Sequence, residues 1–266
     1  MAKTNNEIYA VRYARHDGRT AANNFIGGDP HEASGALEFY VWAIRTGRGV
    51  VLVDTGFDEA MAARRSRSVL RPIAEGLRSI GIAPDDISDV IVSHLHYDHA
   101  GNYDLFPRAR YHLQDCEMEF ATGRCMCNAT MRVAFEADDV TAMVRKVFSD
   151  RVTFHDGDGT IAEGITVHRI GGHSKGLQSV RVETERGAVV LASDASHLYA
   201  HLEERKVFPI VDNADDVLSG YDKLKTLAAS ERHIIPGHDP DVLRRYPAPS
   251  TALQGWVARL DVEPIA

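Results

Sequence analysis

Apolar residues recur along the chain either in short runs or at helical spacing, and these two patterns predict its secondary structure. Runs rich in β-branched and aromatic residues predict strands at residues 8–13, 37–44, 50–54, 89–93, 110–113, 151–154, 165–170, 179–183, 188–191 and 233–235. Helical spacing predicts helices at residues 70–80, 140–148 and 217–227. The polar segment 16–34 is predicted to be a long loop, and the glycines at 47 and 49 predict a hairpin. Strands in two blocks, each followed by helices, predict two sheets between helical layers.

Composition and charge narrow the class of protein. The 266 residues are 44% hydrophobic and 26% charged, which is ordinary for a globular chain of one large domain or two small ones. A formal net charge of −8 disfavours a nucleic-acid partner. No segment approaches the roughly 18 apolar residues of a membrane span, and the N-terminus lacks an apolar signal core. We therefore expect a cytoplasmic protein whose three cysteines, at 116, 125 and 127, are reduced thiols in or near a core.

Residues 93–99, Ser-His-Leu-His-Tyr-Asp-His, hold the densest cluster of metal-ligating side chains. Neutral imidazoles and carboxylates are the ligands that zinc and similar divalent metals prefer. Because side chains two residues apart point to the same side of an extended segment, His94 and His96 can converge on one centre. Asp98 and His99 follow where a turn would bring the chain back over the same point. The segment therefore predicts a metal site in a loop that follows a buried strand.

Three later segments repeat the order of apolar strand, potential ligand and turn, and they supply His173, Asp194 and His238. Functional groups on a rigid scaffold often sit at such strand ends. The expected ligands of one metal are His94, His96 and His173, those of a second are Asp98, His99 and His238, and Asp194 bridges the two. Paired metals lower the pKa of a shared water to about 7, so we expect hydrolysis, with Asp98 passing the proton to the leaving group.

The order His-x-His-x-Asp-His at 94–99, then His173, Asp194 and His238, resembles the metallo-β-lactamase superfamily. The Asp-Thr-Gly turn at 54–56 is also similar, and there the aspartate supports the metal loop from behind. The resemblance covers roughly residues 36–240. It implies an α+β fold of four layers, an αββα sandwich, as a single domain over residues 1–266. It also implies two divalent metal ions at the open edge between the sheets, expected to be Zn²⁺, with Mn, Fe or Co as alternatives.

Within that superfamily the chain is most similar to the N-acyl-homoserine lactonases, which are quorum-quenching enzymes. The similarity rests on length, on a helical insertion at about 114–148 that would cover the active site, and on the Asp-Ala-Ser segment at 194–196. It implies a hydrolase that opens a small-molecule lactone with an apolar tail, by attack of a metal-bridging hydroxide. Residues 114–148 and the loop around Phe25 would wall the pocket. The family's tyrosine three residues after the bridging aspartate is replaced by His197, with Tyr199 two residues further on, and either could contact the substrate.

Alternative activities of the same fold stay open. A glyoxalase II-like thioesterase has a helical C-terminal domain, whereas only residues 239–266 follow His238 here. A persulfide dioxygenase uses a single iron held by a subset of these ligands, and the full set of seven favours two metals. A binding module without activity would usually have lost ligands. Oligomeric state is also open, because the aromatic strand at 37–44 could belong to the core or to a homodimer interface.

Overall fold

Two β-sheets lie face to face in the computed structural model, which describes residues 6–265, and helices cover their outer faces. Within those residues the first sheet contains β1 (Glu7–His16), β2 (Leu37–Thr46), β3 (Gly49–Val53), β4 (Ser68–Val69), β5 (Asp89–Ile91), β6 (Arg110–Gln114), β7 (Val152–His155) and β13 (Val257–Arg259). The second sheet contains β8 (Gly159–Ala162), β9 (Ile165–Arg169), β10 (Gln178–Thr184), β11 (Gly187–Ser193) and β12 (Ile234–Pro236). The α-helices are α1 (Ala21–Asn24), α2 (Glu59–Arg64), α3 (Ile73–Ser79), α4 (Asp115–Thr122), α5 (Ala137–Phe148), α6 (Tyr199–Glu204), α7 (Ala214–Leu227) and α8 (Val242–Arg245). The predicted αββα sandwich is confirmed.

Strand order brings the ends of several strands to a common edge. The first sheet runs β13-β1-β2-β3-β5-β6-β7, with β4 paired to β1, and the second runs β12-β11-β10-β9-β8. Strands β3, β5, β6 and β7 are mutually parallel, as are β11 and β12, whereas β2 and β3 form the predicted antiparallel hairpin. Loops at the carboxyl ends of parallel strands are where ligands bind in such sheets. The loops after β5, β11 and β12 are therefore the expected position of a ligand site.

Each sheet is buried on both faces, which explains why its strands are continuous apolar runs in the sequence. In β1, Ile8 and Ala10 pack into the core between the sheets, whereas Tyr9 and Val11 pack into the outer core under the helices. A third core lies between the second sheet and α7. Alternate residues of one strand thus serve two different cores, as the two-residue repeat of a strand requires.

Several elements differ from the sequence-based expectation. The helix predicted at 70–80 begins only at Ile73, because Leu70 follows β4 and Pro72 occupies the N-cap. The segment 16–34, predicted as a loop, contains the short helix α1. Strands β8 and β13 were not predicted, since both are short and lack an apolar run. The three cysteines are free, as expected, although Cys127 is exposed rather than near a core.

No helix within residues 6–265 combines the length and the apolar character that crossing a bilayer would require.

Candidate metal centre

The seven expected ligands come from loops that follow four strands of the two sheets. The loop after β5 carries four of them, and the loops after β9, β11 and β12 carry one each. The structure brings them into two groups, in each of which the candidate ligand atoms lie within 4.8 Å of one another: His94, His96 and His173, then Asp98, His99, Asp194 and His238. The turn expected in the first loop is present, because the amide of His99 donates to the carbonyl of His96 at 3.0 Å.

Asp194 lies between the two groups and presents one carboxylate oxygen to each. Its Oδ2 is 3.2 Å from His173 Nε2, and its Oδ1 is 2.9 Å from His238 Nε2 and 3.2 Å from His99 Nε2. Ligand atoms placed tetrahedrally at 2.0–2.1 Å from a zinc ion would lie roughly 3.3 Å apart. The separations would therefore allow Asp194 to offer one oxygen to a metal ion in each group.

Three buried polar atoms at this centre have no hydrogen-bond partner among the described residues: His94 Nε2, His99 Nε2 and Asp194 Oδ1. Leaving such an atom buried and unpaired costs about 1–3 kcal/mol. Imidazole nitrogen and carboxylate oxygen are also the donors that divalent transition metals prefer. The residues present thus fit a pair of divalent cations, which would satisfy the three atoms together.

Backbone carbonyls fix which ring nitrogen of two ligands can face a metal. His173 Nδ1 lies 2.6 Å from the Ile210 carbonyl oxygen, and His238 Nδ1 lies 3.0 Å from the Glu38 carbonyl oxygen. A carbonyl only accepts, so each Nδ1 carries the proton and donates it there. The Nε2 lone pair of each ring is then free to point into the centre, which is the usual arrangement around metal-bound histidine.

Asp54 supports the metal loop, as its Asp-Thr-Gly turn predicted. Its carboxylate accepts hydrogen bonds from the Ser93 amide at 2.7 Å and the Ser93 hydroxyl at 2.9 Å, and it lies 2.8 Å from His99 Nδ1. Asp54 has φ 64, a left-handed conformation that L-residues rarely adopt, directly after β3. That conformation places the carboxylate beneath the loop.

Glu117 is a second support, and the sequence analysis missed it. It is fully buried on α4. Its Oε1 accepts from the Leu95 amide at 2.9 Å, while Oε2 accepts from the Gly176 amide at 2.8 Å and from the Ser174 hydroxyl. One carboxylate therefore ties the loop of His94 and His96 to the loop of His173. No spacing or motif marked this residue, since its partners lie far away in the chain.

Burial and mutual charge set the protonation of the ligands. Burial lowers the pKa of His94 well below its ordinary value, and the imidazole of His99 lowers it further. Burial opposes protonation of His99 too, but the carboxylates of Asp194 and Asp98 outweigh it and raise its pKa. For Asp194, burial favours the neutral acid, yet the imidazoles of His238 and His99 pull the pKa well below its ordinary value. The ionised Asp194 and the neutral His94 are in the charge states that metal binding needs, whereas a protonated His99 would release its proton when a metal binds.

His197 and Tyr199 have different surroundings. His197 Nε2 lies 2.9 Å from Asp194 Oδ2, and its ring stacks on Phe208 with centroids 3.8 Å apart. Tyr199 begins α6, packs into the core between the sheets, and lies under the Arg245 guanidinium at 3.7 Å. The structure therefore brings His197 to the metal centre and does not bring Tyr199 there.

The metal centre opens into two adjoining cavities with different walls. One, of about 180 Å³, exposes Asp98, Asp194 and His238 together with three arginines, Arg19, Arg65 and Arg67. The other, of about 100 Å³, borders His96 and His173 and is largely apolar, although Thr130 and Asp212 also line it. Its apolar side chains come from the 114–148 segment and beyond: Phe120, Met131, Val133, Phe135 and Ile210.

Phe25, expected in the wall, instead packs against His201 with ring centroids 4.9 Å apart. From the same segment of the chain, Arg19 and Asn23 are among the side chains that line the larger cavity.

Comparison with known proteins places this architecture in context. The sequence profile described as the metallo-beta-lactamase superfamily matches residues 40–243. The N-acyl homoserine lactonase of Bacillus cereus is 28% identical over 220 residues, covering 76% of this chain and 82% of that protein. A crystal structure of a quorum-quenching N-acyl homoserine lactone lactonase superimposes with a TM-score of 0.74 at 25% identity, covering 90% and 94% of the two chains. The fold is shared with AidC, a dizinc quorum-quenching lactonase solved with a product bound, at a TM-score of 0.66 and 16% identity, covering 90% of this chain and 92% of that one.

Proposed function

This chain belongs to the metallo-beta-lactamase superfamily, and from that premise we propose that it is a lactonase that uses two divalent metal ions, with zinc as the expected metal. The observation that carries the proposal is Asp194, whose Oδ2 approaches His173 of one group and whose Oδ1 approaches His99 and His238 of the other. The names of the relatives support a lactone as the substrate. His94, His96 and His173 would hold one metal ion, and Asp98, His99 and His238 the other, with Asp194 close to both. The bound pair would supply a lowered pKa for water and polarisation of the carbonyl that is attacked.

The chain's own residues orient the reactants and move the proton. Asp98 lines the larger cavity, and its Oδ2 lies 3.6 Å from His99 Nε2 and 3.8 Å from His238 Nε2. Its backbone carbonyl accepts a hydrogen bond from the Tyr13 hydroxyl at 3.0 Å, which fixes the turn that presents the carboxylate. We assign Asp98 the role of taking the proton of the attacking water and delivering it to the ring oxygen that leaves.

His197 would act on the site through Asp194 rather than on the substrate. Its Nε2 is committed to Asp194 Oδ2, and burial lowers its pKa well below the ordinary value, so the ring is neutral and donates one proton to that carboxylate. The apolar cavity formed with the 114–148 segment would receive the apolar part of the substrate. We assign that segment to the substrate wall.

Metal analysis together with a substrate panel tests this function. The purified protein, loaded with zinc, should contain two metal ions per chain and should hydrolyse lactones at a higher kcat/KM than thioesters of the same acyl group. Asp98→Asn should reduce lactone hydrolysis by about 100-fold or more, as expected for loss of a proton-transfer group. Preferential cleavage of thioesters, or a single iron ion with oxygen consumption, would contradict the proposal.

A further inference from the structure

Three arginines line the larger cavity, and none of them forms an ion pair with a carboxylate of the metal centre. Arg65 is neutralised by Glu136, with Nη2 and Oε1 2.6 Å apart. Arg19 and Arg67 form no ion pair with any carboxylate in the described part of the chain. The neighbouring Asp17 pairs instead with Arg15, at 2.7 Å. Two uncompensated guanidinium groups therefore share a half-buried cavity with the metal ligands.

The contacts of these two arginines within residues 6–265 are to neutral groups. His16 lies between them, with Nδ1 2.9 Å from Arg19 Nη1 and Nε2 3.1 Å from Arg67 Nη1. A guanidinium only donates and a neutral imidazole has one acceptor nitrogen, so at most one of these contacts can be a hydrogen bond. Arg19 also donates to the Asn24 side-chain oxygen and to the Asn23 carbonyl. Arg67 donates to the Tyr97 hydroxyl at 3.1 Å and to the Arg65 carbonyl, and its Nη2 has no partner within residues 6–265. The cluster lacks an anionic acceptor.

The pKa shifts of Arg19 and His16 also indicate an excess of positive charge around these two groups. Burial lowers the pKa of Arg19 to about 10, and the charge of Arg67 adds to the effect. Burial together with Arg67 and Arg19 also lowers the pKa of His16 to about 4, so this ring adds no charge at neutral pH. An anion in the cavity, close to both guanidinium groups, would offset the repulsion between them.

We propose that Arg19 and Arg67 bind a carboxylate of the substrate, so that the preferred substrate carries an anionic group in addition to its lactone ring. This inference rests on the proposed lactonase function. Guanidinium groups match the planar, two-oxygen geometry of a carboxylate. Arg19 and Arg67 line a cavity of only about 180 Å³, and a carboxylate is a compact oxyanion. The neighbouring apolar cavity accommodates an uncharged part of the same molecule.

A matched pair of lactones tests the inference. Both have the same ring and tail, and the tail ends in a carboxylate in one and in a primary amide in the other, over a series of tail lengths. The wild-type enzyme should prefer the carboxylate at its best length by about 10- to 100-fold in kcat/KM, the effect of a charge-assisted hydrogen bond. Arg19→Gln and Arg67→Gln should each lower the carboxylate-to-amide ratio about tenfold, whereas Arg67→Lys should retain part of it.

The ratio separates binding from folding. A purely structural loss lowers both kcat/KM values together and leaves their ratio intact. Arg64→Gln, on the exposed side of α2, is the matched control and should keep the wild-type ratio. A wild-type ratio near one, or a preference that survives in both glutamine variants, would overturn the inference.

A direct binding measurement tests the arginine site without relying on the proposed lactonase activity. If no lactone is hydrolysed by the metal-loaded enzyme, the lactonase proposal fails while the arginine site can still be measured. Titration calorimetry would compare α,ω-dicarboxylates with their mono-amides, since both supply one carboxylate to the metals and only the former supplies a second. Tighter dicarboxylate binding that is lost in Arg19→Gln and Arg67→Gln supports the site. Equal affinities, or stronger competition by inorganic phosphate than by dicarboxylates, contradict it.

Discussion

Replacing Glu117 by glutamine should loosen one metal group while leaving the shape of the core unchanged. The native carboxylate accepts from two backbone amides and one hydroxyl, at Leu95, Gly176 and Ser174. Glutamine keeps the volume but turns one acceptor oxygen into an NH₂ donor, so at least one buried amide faces a donor. The expected loss of stability is about 1–3 kcal/mol, and Glu117→Ala, which removes the acceptors of all three donors, should lose about 3–5 kcal/mol.

The loss of metal affinity should be greatest at the group formed by His94, His96 and His173, because Glu117 joins the loops that carry them. Removing a supporting hydrogen bond of this kind typically costs 10- to 100-fold in metal affinity. Two-site zinc titration with thermal unfolding would measure both effects, and Glu119→Gln, exposed on the same helix, is the control. Wild-type affinity at both sites together with an unchanged Tm in Glu117→Gln would refute this reasoning.

Three further predictions concern pH, an aromatic neighbour and metal removal. Burial lowers the pKa of His201 to about 4 while its Nε2 bonds the Asn24 carbonyl, whereas the unfolded chain protonates near 6.5. His201 therefore contributes about 3 kcal/mol to the free energy of unfolding above pH 6.5, and this contribution is lost as the pH falls toward 4. In denaturant melts, the stability of His201→Asn should depend less steeply on pH between 6.5 and 4 than that of the wild type. His197→Phe keeps the stack on Phe208 but loses the bond to Asp194, so kcat/KM should fall about tenfold with both metals retained, and an unaltered kcat/KM would argue against the positioning role. Dialysis against a chelator should abolish activity and lower Tm by about 5–10 °C, both restored by zinc, and a chelator-resistant activity would be inconsistent with a metal-dependent enzyme.

Much of the fold and most of the metal centre could be predicted from local sequence. Strands buried on both faces must be apolar at successive positions, so runs such as 188–191 identify β11 without any knowledge of its neighbours. The candidate ligands could also be identified from local sequence, because His94, His96, Asp98 and His99 lie within one short segment. The short strand β13 escaped prediction since its burial comes from pairing with β1, at the opposite end of the chain.

The sequence by itself determined the layered architecture and the chemistry of the metal ligands, because periodic burial and clustered donor atoms are local properties. Only the tertiary structure decided which residues surround that chemistry. Glu117 meets Ser174 across 57 positions of the chain, and Arg19 and Arg67 meet at one cavity from separate segments. His197 and Tyr199 are two positions apart, yet one contacts Asp194 and the other packs into the core, because the start of α6 turns their side chains apart. Such contacts depend on how distant segments pack, which short-range patterns of polarity do not encode.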